Sequence, residues 1–539
     1  MIDLTTEQLD VIRNIAKFIK SNNKLFLLKG YAGTGKTTIM TQLLQNQIYR
    51  EKKIAMCATT HKAVSVLEML YPKTGNVNFM TIHKLLKIKR VIGLDGTEQY
   101  ISQMDSEWKP SNNKSIYNYD IIIIDEASMV SQSLLSQILK LMRYFKGCVI
   151  FIGDSAQLPP INEAQSKVFD LDIPKSELKT IMRSNNAISV LSKDVRNLLS
   201  IPNHKINIKS YTENGVSVYK QEKRWFDSYI LDYHNKRRPI ILVYTNKRRD
   251  QLNNSIRSKI FKDTTNKYEV NELIVFNNFY KPLTSTDVVY HNSQHIRIQQ
   301  INEGNIKMKN LDFNEILNLK LKLNANNADG LLEVKDVNIS CPICYDEVDF
   351  GRETPCHHYF CTGCIITWLE KNRCCPYCRM DIKDNNICIK DNPVLSKLIN
   401  ELRDITLDKS YKVWYLYSDI DIRIVVIHEN DEVKYTNDIK EIKELLKQIK
   451  LYIDNKCLDK FTITLLNRLW EFYYSYYIDQ FADISYGYCI TTHKSQGSTF
   501  KYVYIDLPNL ILNHDITQRY QCLYTAVTRA SNHLHILYR

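Results

Sequence analysis

Short apolar runs recur along the chain and predict buried strands. They cover residues 25–28, 54–58, 121–124, 148–152 and 239–244, and polar or glycine-rich stretches follow them. Uninterrupted apolar runs of this length are typical of parallel strands that are covered on both faces. Residues 9–19 instead repeat their apolar positions with the helical period, after a capping signal at Thr5 to Gln8. The pattern therefore predicts an α/β fold built on parallel sheets.

A glycine-rich loop, Gly30 to Thr37, follows the first apolar run. Between a strand and a helix, such glycines let backbone N–H groups turn toward the phosphates of a nucleotide. Lys36 adds a positive charge, and Thr37 offers a hydroxyl to Mg²⁺. The loop therefore predicts a nucleotide site. Its expected contacts are Gly30, Gly33, Thr34, Gly35, Lys36, Thr37 and Thr38.

Polar groups also follow the later apolar runs. Asp125 and Glu126 emerge after four isoleucines; one carboxylate can hold Mg²⁺ while the next orients or deprotonates water. Gln157 lies within Gly153 to Pro160, where its amide could sense hydrolysis beside a γ-phosphate, although a proline-terminated loop is the alternative. Thr60 and His61 follow the run at 54–58, where a hydroxyl and a cation suit a phosphodiester backbone.

The bulk composition is that of a folded protein with several domains. A chain of 539 residues is too long for one core, and it contains 44% hydrophobic and 24% charged residues. No apolar run is long enough to span a bilayer, and residues 1–5 do not resemble a signal peptide, so we expect an intracellular protein. The net charge of +13 suits polyanion binding. An AT-rich coding sequence would give the same excess of lysine, so charge alone does not decide.

Taken in order, these motifs resemble superfamily 1 helicases of the RecD/Dda type. The matching stretches are Gly30 to Thr37, Ala58 to Ala63, Asp125 to Ser128, Gly153 to Pro160, Leu178 to Ser184, Tyr244 to Lys247, Thr491 to Gly497 and Tyr524 to Arg529. The family implies an ATP-driven DNA helicase or translocase, with two RecA-like lobes and ATP in the cleft between them. An intact set of these residues argues for an active motor.

The resemblance also assigns roles to individual residues. Its catalytic set is Lys36, Asp125, Glu126, Gln157, Arg183 and Arg529. The two arginines match arginine fingers, which bring charge to the γ-phosphate from the opposite lobe. Gln8 matches the glutamine that reads adenine, and Thr37 with Asp125 would hold Mg²⁺. Contacts to single-stranded DNA are expected at Thr60, His61, Thr492, His493 and Lys494.

The family pattern also divides the chain into domains. Residues 1–172 would form the first lobe, and 173–285 with 480–539 the second. Residues 286–337 and 385–479 would form an accessory insertion with a small SH3-like barrel. A hairpin at about 94–118 matches the strand-separating pin, with Tyr100 as its aromatic tip. The resemblance implies movement from 5′ to 3′.

A cysteine cluster interrupts the helicase pattern at residues 338–384. Nine of the 14 cysteines lie between Cys341 and Cys388, and Cys-x-x-Cys pairs are typical of zinc sites. The spacing resembles a RING finger, whose cross-braced ligands bind two Zn²⁺ ions. One ion would take Cys341, Cys344, Cys361 and Cys364, and the other Cys356, His358, Cys375 and Cys378. Cys374 and His357 remain alternative ligands.

RING fingers typically act as ubiquitin ligases by docking a ubiquitin-conjugating enzyme. The positions that match this docking surface are Ile343, Trp368 and Pro376, and Arg379 matches the arginine that clamps ubiquitin. Two alternatives stay open: a ubiquitin ligase that its ATPase lobes tether to DNA, and a helicase whose zinc module only binds a partner. The composition would suit a large DNA virus, with the protein acting in the nucleus or at a cytoplasmic replication site.

Overall fold

The computed structural model describes most of both ends of the chain. The described residues are 4–45, 51–71, 75–102, 118–143, 145–182, 187–199, 208, 215–262, 264–282, 288–311, 332–344, 347–354, 358–361, 364–365, 368, 372, 374–379, 393–454 and 460–538. Arg183, Cys356 and His357 lie outside them. Among the described residues, no helix combines the length and the apolar character needed to cross a membrane.

Among its described residues, the N-terminal region contains eight strands and five helices. The strands are β1 (Leu25–Gly30), β2 (Ile54–Ala58), β3 (Val77–Thr81), β4 (Ile88–Ile92), β5 (Glu98–Ser102), β6 (Ile121–Ile124), β7 (Cys148–Gly153) and β8 (Lys175–Leu178). The helices are α1 (Thr6–Ile19), α2 (Lys36–Gln45), α3 (His61–Leu70), α4 (Ile82–Leu85) and α5 (Gln132–Met142).

Six of these strands form the parallel sheet of the first lobe. Their order is β3-β2-β6-β7-β1-β8, and a separate hydrophobic cluster covers each face. Burial on both faces explains why the strands are continuously apolar. Because the strands are parallel, the loops after β1, β6 and β7 meet at one edge of the sheet. That edge carries the glycine-rich loop and the Asp125–Glu126 pair.

The rest of the chain contains fourteen strands and eight helices among the described residues. The strands are β9 (Val216–Tyr219), β10 (Ile240–Val243), β11 (Leu273–Phe276), β12 (His295–Arg297), β13 (Gln300–Lys307), β14 (Leu332–Ser340), β15 (Glu347–Glu353), β16 (Tyr359–Cys361), β17 (Ser410–Tyr417), β18 (Arg423–Ile427), β19 (Ile484–Tyr486), β20 (Cys489–Thr491), β21 (Phe500–Asp506) and β22 (Ala530–Leu537). The helices are α6 (Ala187–Leu198), α7 (Glu222–His234), α8 (Asn246–Ile260), α9 (Pro393–Thr406), α10 (Glu429–Asp454), α11 (Lys460–Phe472), α12 (Leu507–Leu510) and α13 (Ile516–Thr528).

A second parallel sheet forms the second lobe, with strand order β20-β10-β21-β22-β9. Its core joins α6 and α13 to the sheet. The chain leaves this sheet after β10 and returns to it at β20, so a long insertion interrupts the lobe. The predicted pair of RecA-like parallel-sheet lobes is therefore confirmed.

The insertion contains two antiparallel sheets, β12-β11-β19 and β13-β17-β18. One hydrophobic cluster spans both sheets, and a second packs β17 and β18 against α9 to α11. This body begins at β11 and ends at β19, so it extends beyond the predicted limits of 286 and 479 on both sides. Closure of the two sheets into an SH3-like barrel stays a prediction. A further antiparallel sheet, β14-β15-β16, lies in the cysteine-rich segment.

Residues 103–117 of the predicted hairpin lie outside the described residues. The described part of the region forms a hairpin of β4 and β5 that starts at Ile88. Tyr100 lies within β5 and not at the turn, because the turn falls at residues 93–97. The predicted tip is therefore wrong, although the Tyr100 side chain is exposed. The turn packs against the insertion: the Nε1–H of Trp470 donates to Leu94 O (3.1 Å), and the Tyr474 hydroxyl donates to Gly96 O (2.8 Å).

Candidate nucleotide cleft, DNA contacts and metal centre

The glycine-rich loop has the backbone shape that its sequence predicts. It leaves β1 at Gly30 and enters α2 at Lys36. Gly33 and Gly35 adopt φ values of +81° and +83°, which favour glycine. A Cβ at Gly35 would lie 2.5 Å from Gln8 Nε2, so a side chain there would force Gln8 aside. A tight loop at a helix N-terminus offers backbone N–H groups to phosphate, and the residues present therefore fit a nucleotide.

Gln8 connects the first helix to this loop. Its Nε2 donates to Thr34 O (3.1 Å), and its Oε1 accepts from Thr5 N–H (3.1 Å). The Thr5 hydroxyl in turn accepts from Gln8 N–H, which completes the capping box that starts α1. Gln8 is buried. It therefore lies directly against the phosphate loop and is not a solvated helix residue, while its reading of adenine stays a prediction.

The acidic pair lies beside the lysine of the loop. Asp125 N–H donates to Cys57 O (2.8 Å), which fixes the end of β6, and Glu126 has a left-handed φ of 53°. Burial and the charge of Glu126 raise the pKa of Asp125 to about 7. Burial lowers the pKa of Lys36, and the negative charges of Asp154, Glu126 and Asp125 partly oppose this by raising it. The structure thus brings together the predicted lysine and both predicted carboxylates.

Tyr71 joins the two predicted Mg²⁺ ligands. Burial raises its pKa, as does the charge of Asp125, while a hydrogen bond with the Thr37 side chain opposes the rise. A hydroxyl and a carboxylate that share one buried neighbour are oxygen donors of the kind that Mg²⁺ prefers. These two side chains therefore fit Mg²⁺, which they would hold through their oxygen atoms. Tyr71 carries no sequence signal, because it stands at the end of an ordinary amphipathic helix.

Gln157 lies at the carboxyl end of β7, as the motif predicts. The side chain is buried, and its Oε1 has no hydrogen-bond partner among the described residues. The backbone N–H of Gln157 donates to the backbone carbonyl of Asp154 (3.2 Å). A buried amide oxygen without a partner is costly, so this atom is available to a water or a ligand. The same loop contacts the second lobe, where Leu158 N–H donates to Thr525 Oγ1 (3.0 Å).

Asp154 forms the centre of a network between the lobes. Its carboxylate forms an ion pair with Arg196 of α6 and accepts from the Tyr524 hydroxyl of α13 (2.7 Å). That hydroxyl also accepts from Ala32 N–H of the phosphate loop (3.1 Å). The Arg196 guanidinium stacks 3.6 Å from the Tyr31 ring centroid. Sequence reasoning missed Arg196, because an arginine in an amphipathic helix gives no local sign of its partners.

Arg529 lies at the interface of the two lobes. Its Nε donates to Thr525 O (3.2 Å), and one terminal nitrogen donates to Ser498 O (3.0 Å). Burial and the charge of Arg529 lower the pKa of Lys62, which belongs to α3 of the first lobe, to about 8. The predicted arginine finger is therefore buried and adjacent to the opposite lobe. Its role toward the γ-phosphate stays a prediction, and Arg183 lies outside the described residues.

The predicted DNA-contact residues occupy different environments. Thr60 accepts from Ala63 N–H (3.2 Å) and caps α3. Lys494 donates to Asn277 Oδ1 (2.5 Å), and the His493 ring lies 6.0 Å from the Tyr244 ring. Thr492 is 0% exposed. Its hydroxyl donates to Val243 O (3.2 Å), which leaves no surface for DNA, contrary to the prediction.

His61 contacts a residue that sequence reasoning missed. Its exposed ring stacks on His291 of the insertion, with centroids 3.5 Å apart and planes 6° apart. The ring centroids of Phe279 and His291 lie 6.0 Å apart, and Phe279 is exposed. Rings of this kind can stack on unpaired bases. No local pattern around His291 indicates this contact, because its partner lies about 230 residues away in the sequence.

The described zinc-ligand candidates fall into two groups. The thiol sulfurs of Cys341, Cys344, Cys361 and Cys364 lie within 4.8 Å of one another, and so do the ligand atoms of His358, Cys375 and Cys378. The RING resemblance implies the same two groups, with Cys356 as the further ligand of the second. Thiolate and imidazole donors at this spacing fit tetrahedral Zn²⁺. The number of ions bound stays a prediction.

The predicted partner-docking residues lie beside these ligands. Trp368 is half-buried, and its Nε1–H donates to Cys374 O (2.9 Å). The Arg379 guanidinium lies 5.2 Å from the Trp368 ring centroid, and Arg379 is exposed. Ile343 and Pro376 are half-buried. The tryptophan therefore supports the zinc loop through its indole N–H and presents part of its ring beside an exposed cation.

Three domain families match separate parts of the chain. Residues 3–215 match an AAA domain, and residues 486–537 match a UvrD-like helicase C-terminal domain. Residues 339–379 match a Ring finger domain. The helicase matches lie at the two ends of the chain, and the Ring finger match lies between them.

Relatives agree with this division. Uncharacterized protein R530 of Acanthamoeba polyphaga mimivirus is 28% identical over 98% of this chain and 98% of its own length. A relative from a large DNA virus agrees with the expectation drawn from the composition of the chain. The ATP-dependent DNA helicase dda of Enterobacteria phage T4 is 27% identical over 55% of this chain and 67% of its own length. The E3 ubiquitin-protein ligase RNF181 of Danio rerio is 42% identical over 10% of this chain and 36% of its own length. The chain therefore carries an AAA domain and a UvrD-like helicase C-terminal domain with a Ring finger domain between them, and it is similar to helicases of the RecD/Dda type.

Proposed function

We propose that this protein is an ATP-dependent DNA helicase that moves 5′ to 3′ along single-stranded DNA. One observation carries the proposal: residues from both lobes meet at the phosphate loop. The N–H of Ala32 in the loop donates to the Tyr524 hydroxyl of the second lobe. Asp154 of the first lobe forms an ion pair with Arg196, which also belongs to the second lobe. A nucleotide in this cleft would therefore act on the relative position of the two lobes, which is what a motor requires.

Each residue of the cleft would have a separate role in ATP hydrolysis. Lys36 and the loop N–H groups would hold the triphosphate, and Thr37 with Asp125 would hold Mg²⁺, which neutralises charge that develops on the phosphates. Glu126 would orient or deprotonate the attacking water. Gln157 would report the state of the γ-phosphate through its unpartnered Oε1. Arg529 and Arg183 would add positive charge from the second lobe.

DNA would follow the junction of the first lobe and the insertion. The stacked rings of His61 and His291 lie there, and Lys494 contacts Asn277 of the insertion. Aromatic rings that face bases and cations that face phosphates are the usual means of binding single strands without sequence preference. The hairpin β4–β5 would separate the duplex at the end of this path. The direction of movement is inherited from the resemblance.

ATP hydrolysis stimulated by single-stranded DNA tests the motor. The wild-type protein should hydrolyse ATP faster with an oligonucleotide than without it, and Lys36→Ala should abolish both rates. Lys146→Ala, an exposed lysine away from the loop, is the matched control and should behave as wild type. A wild-type protein without DNA-stimulated hydrolysis would refute the proposal.

We further propose that the RING finger acts as a ubiquitin ligase. The placement of Trp368 and Arg379 supports this second function, since a partly exposed tryptophan beside a cation suits a partner hot spot. A ubiquitin-conjugating enzyme and ubiquitin would be its partners, and two Zn²⁺ ions would hold its fold. In the cell, we place both activities at a nuclear or viral replication site.

Chain formation with a panel of ubiquitin-conjugating enzymes tests the ligase. Wild type should build ubiquitin chains, and Ile343→Ala should lose most of this activity, whereas Val394→Ala, which is exposed in α9, should keep it. If no enzyme of the panel supports chains, the zinc module only binds partners. If chains form but wild type does not unwind a tailed duplex with ATP, the protein is chiefly a ligase that its ATPase lobes place on DNA.

A further inference from the structure

Arg196 makes three contacts at the cleft, although it lies outside the stretches that carry the helicase resemblance. Its guanidinium pairs with Asp154, donates to the Tyr524 hydroxyl (3.2 Å) and stacks on Tyr31 of the phosphate loop. Only 15% of its side chain is exposed. Since Arg196 belongs to the second lobe, while Asp154 and Tyr31 belong to the first, the arginine links the two lobes at the phosphate site.

The Tyr524 hydroxyl is fully used in this network. A phenol offers one proton and two acceptor sites. The proton goes to Asp154 Oδ2 (2.7 Å), and the acceptor sites take Ala32 N–H (3.1 Å) and Arg196 (3.2 Å). One N–H of the phosphate loop is thereby held by the second lobe. Any shift of α13 relative to the first lobe would change the geometry of the loop at Ala32.

Asp154 carries a charge that Arg196 must offset. Its side chain is 0% exposed, and its Oδ1 also accepts from Ala156 N–H (3.1 Å). Lys36 is the cation of the phosphate loop, and its Nζ donates to Gly30 O (2.7 Å) and Tyr31 O (2.9 Å). Removing one partner of a buried ion pair leaves an uncompensated charge. Without Arg196, the charge of Asp154 would act on Lys36, which the triphosphate requires.

We propose that Arg196 and Tyr524 are positioning residues for the triphosphate of ATP. Arg196 neutralises Asp154 and so leaves Lys36 available to the phosphates, while Tyr524 fixes the loop at Ala32 according to the position of the second lobe. The inference rests on the proposed ATPase function and adds to it a route by which the second lobe controls the nucleotide site.

A rescue experiment tests the electrostatic part. Arg196→Met should weaken binding of a fluorescent ATP analogue by about tenfold, the scale of a lost charge-assisted hydrogen bond, and raise the KM for ATP by a similar factor. Adding Asp154→Asn removes the stranded charge and should return both values to within about threefold of wild type. All variants are compared below their unfolding temperatures. If the second change restores thermal stability but not nucleotide binding, Arg196 is only structural and the inference is wrong.

A single hydroxyl tests the part played by Tyr524. Tyr524→Phe keeps the ring and the Arg196–Asp154 pair, and should raise the KM by about fivefold with a smaller change in kcat, since one hydrogen bond to the loop is lost. Tyr502→Phe and the exposed Arg224→Met are the controls. Unchanged nucleotide affinity in both Tyr524→Phe and Arg196→Met would overturn the inference while leaving the ATPase proposal intact. Absence of hydrolysis in wild type would instead refute the ATPase proposal, and the binding assay would still report on the two residues.

Discussion

Replacing Gly96 by valine should separate duplex unwinding from ATP hydrolysis. Gly96 lies in the turn of the β4–β5 hairpin with a φ of +75°, and a Cβ there would lie 2.2 Å from Trp470 Cη2. Trp470 is fully buried and cannot move aside freely. The hairpin would therefore have to leave the insertion, and with it the hydrogen bonds from Trp470 to Leu94 and from Tyr474 to Gly96.

The size of the effect follows from these contacts. A non-glycine residue in the left-handed region costs about 1–2 kcal/mol, and each lost hydrogen bond costs about 1 kcal/mol. The docked hairpin would thus be destabilised by about 3–4 kcal/mol, which shifts its docking equilibrium by about 150- to 900-fold. Part of the contact would remain, because Arg90 Nη1 of β4 donates to both carboxylate oxygens of Asp479 (both 2.9 Å).

Two assays on one preparation test this prediction. Gly96→Val should keep DNA-stimulated ATP hydrolysis, because it leaves the phosphate loop untouched, and it should unwind a tailed duplex much more slowly. Hydrogen exchange at residues 93–97 should rise in parallel. Gly75→Ala is the matched control, since a Cβ at Gly75 meets nothing within 4 Å. If Gly96→Val unwinds at the wild-type rate despite faster exchange, the docked hairpin does not separate the strands.

Three further results are expected. His291→Ala should weaken oligonucleotide binding by about tenfold in fluorescence anisotropy, which is the scale of one stacking contact. The exposed His514→Ala is the control. If both variants have the same Kd, the His61–His291 pair does not contact DNA. Burial and repulsion from His533 and Arg237 lower the pKa of His535 to about 3. The unfolded chain therefore binds a proton that the native state does not, and the free energy of unfolding should fall by up to about 1.4 kcal/mol per pH unit below pH ~6.5; His535→Gln should flatten that slope in urea titrations, and an unaltered slope would contradict the assignment. A zinc chelator should abolish ubiquitin-chain formation and leave DNA-stimulated hydrolysis intact, since the zinc ligands lie outside both lobes; loss of both activities together would show that the lobes depend on the metal.

The local motifs of the cleft could be predicted because the residues that form each motif are neighbours in the sequence. The loop from Gly30 to Thr37 and the pair Asp125–Glu126 follow apolar strands, and the parallel sheet brings their ends together. The two groups of described zinc-ligand candidates also follow from spacing, since paired ligands sit on tight turns. In these cases the short-range pattern contains the information that the fold uses.

The remaining features depend on long-range packing. Arg196 meets Asp154, and His61 meets His291, only after the lobes and the insertion have assembled. Strands β11 and β19 pair across a long insertion, so a local pattern could not assign them to the accessory body. The prediction for Thr492 is wrong for a related reason: its sequence position suits a phosphate contact, but its hydroxyl donates to Val243 O inside the second lobe.

If ATP in the cleft drives movement along one DNA strand, unwinding must depend on both the lysine of the phosphate loop and the tail of the duplex. Wild type and Lys36→Ala can be compared on duplexes with a 5′ tail and with a 3′ tail. Wild type should unwind the 5′-tailed duplex with ATP and the 3′-tailed duplex only slightly, and Lys36→Ala should unwind neither. Equal unwinding by the two proteins would show that ATP does not drive the movement.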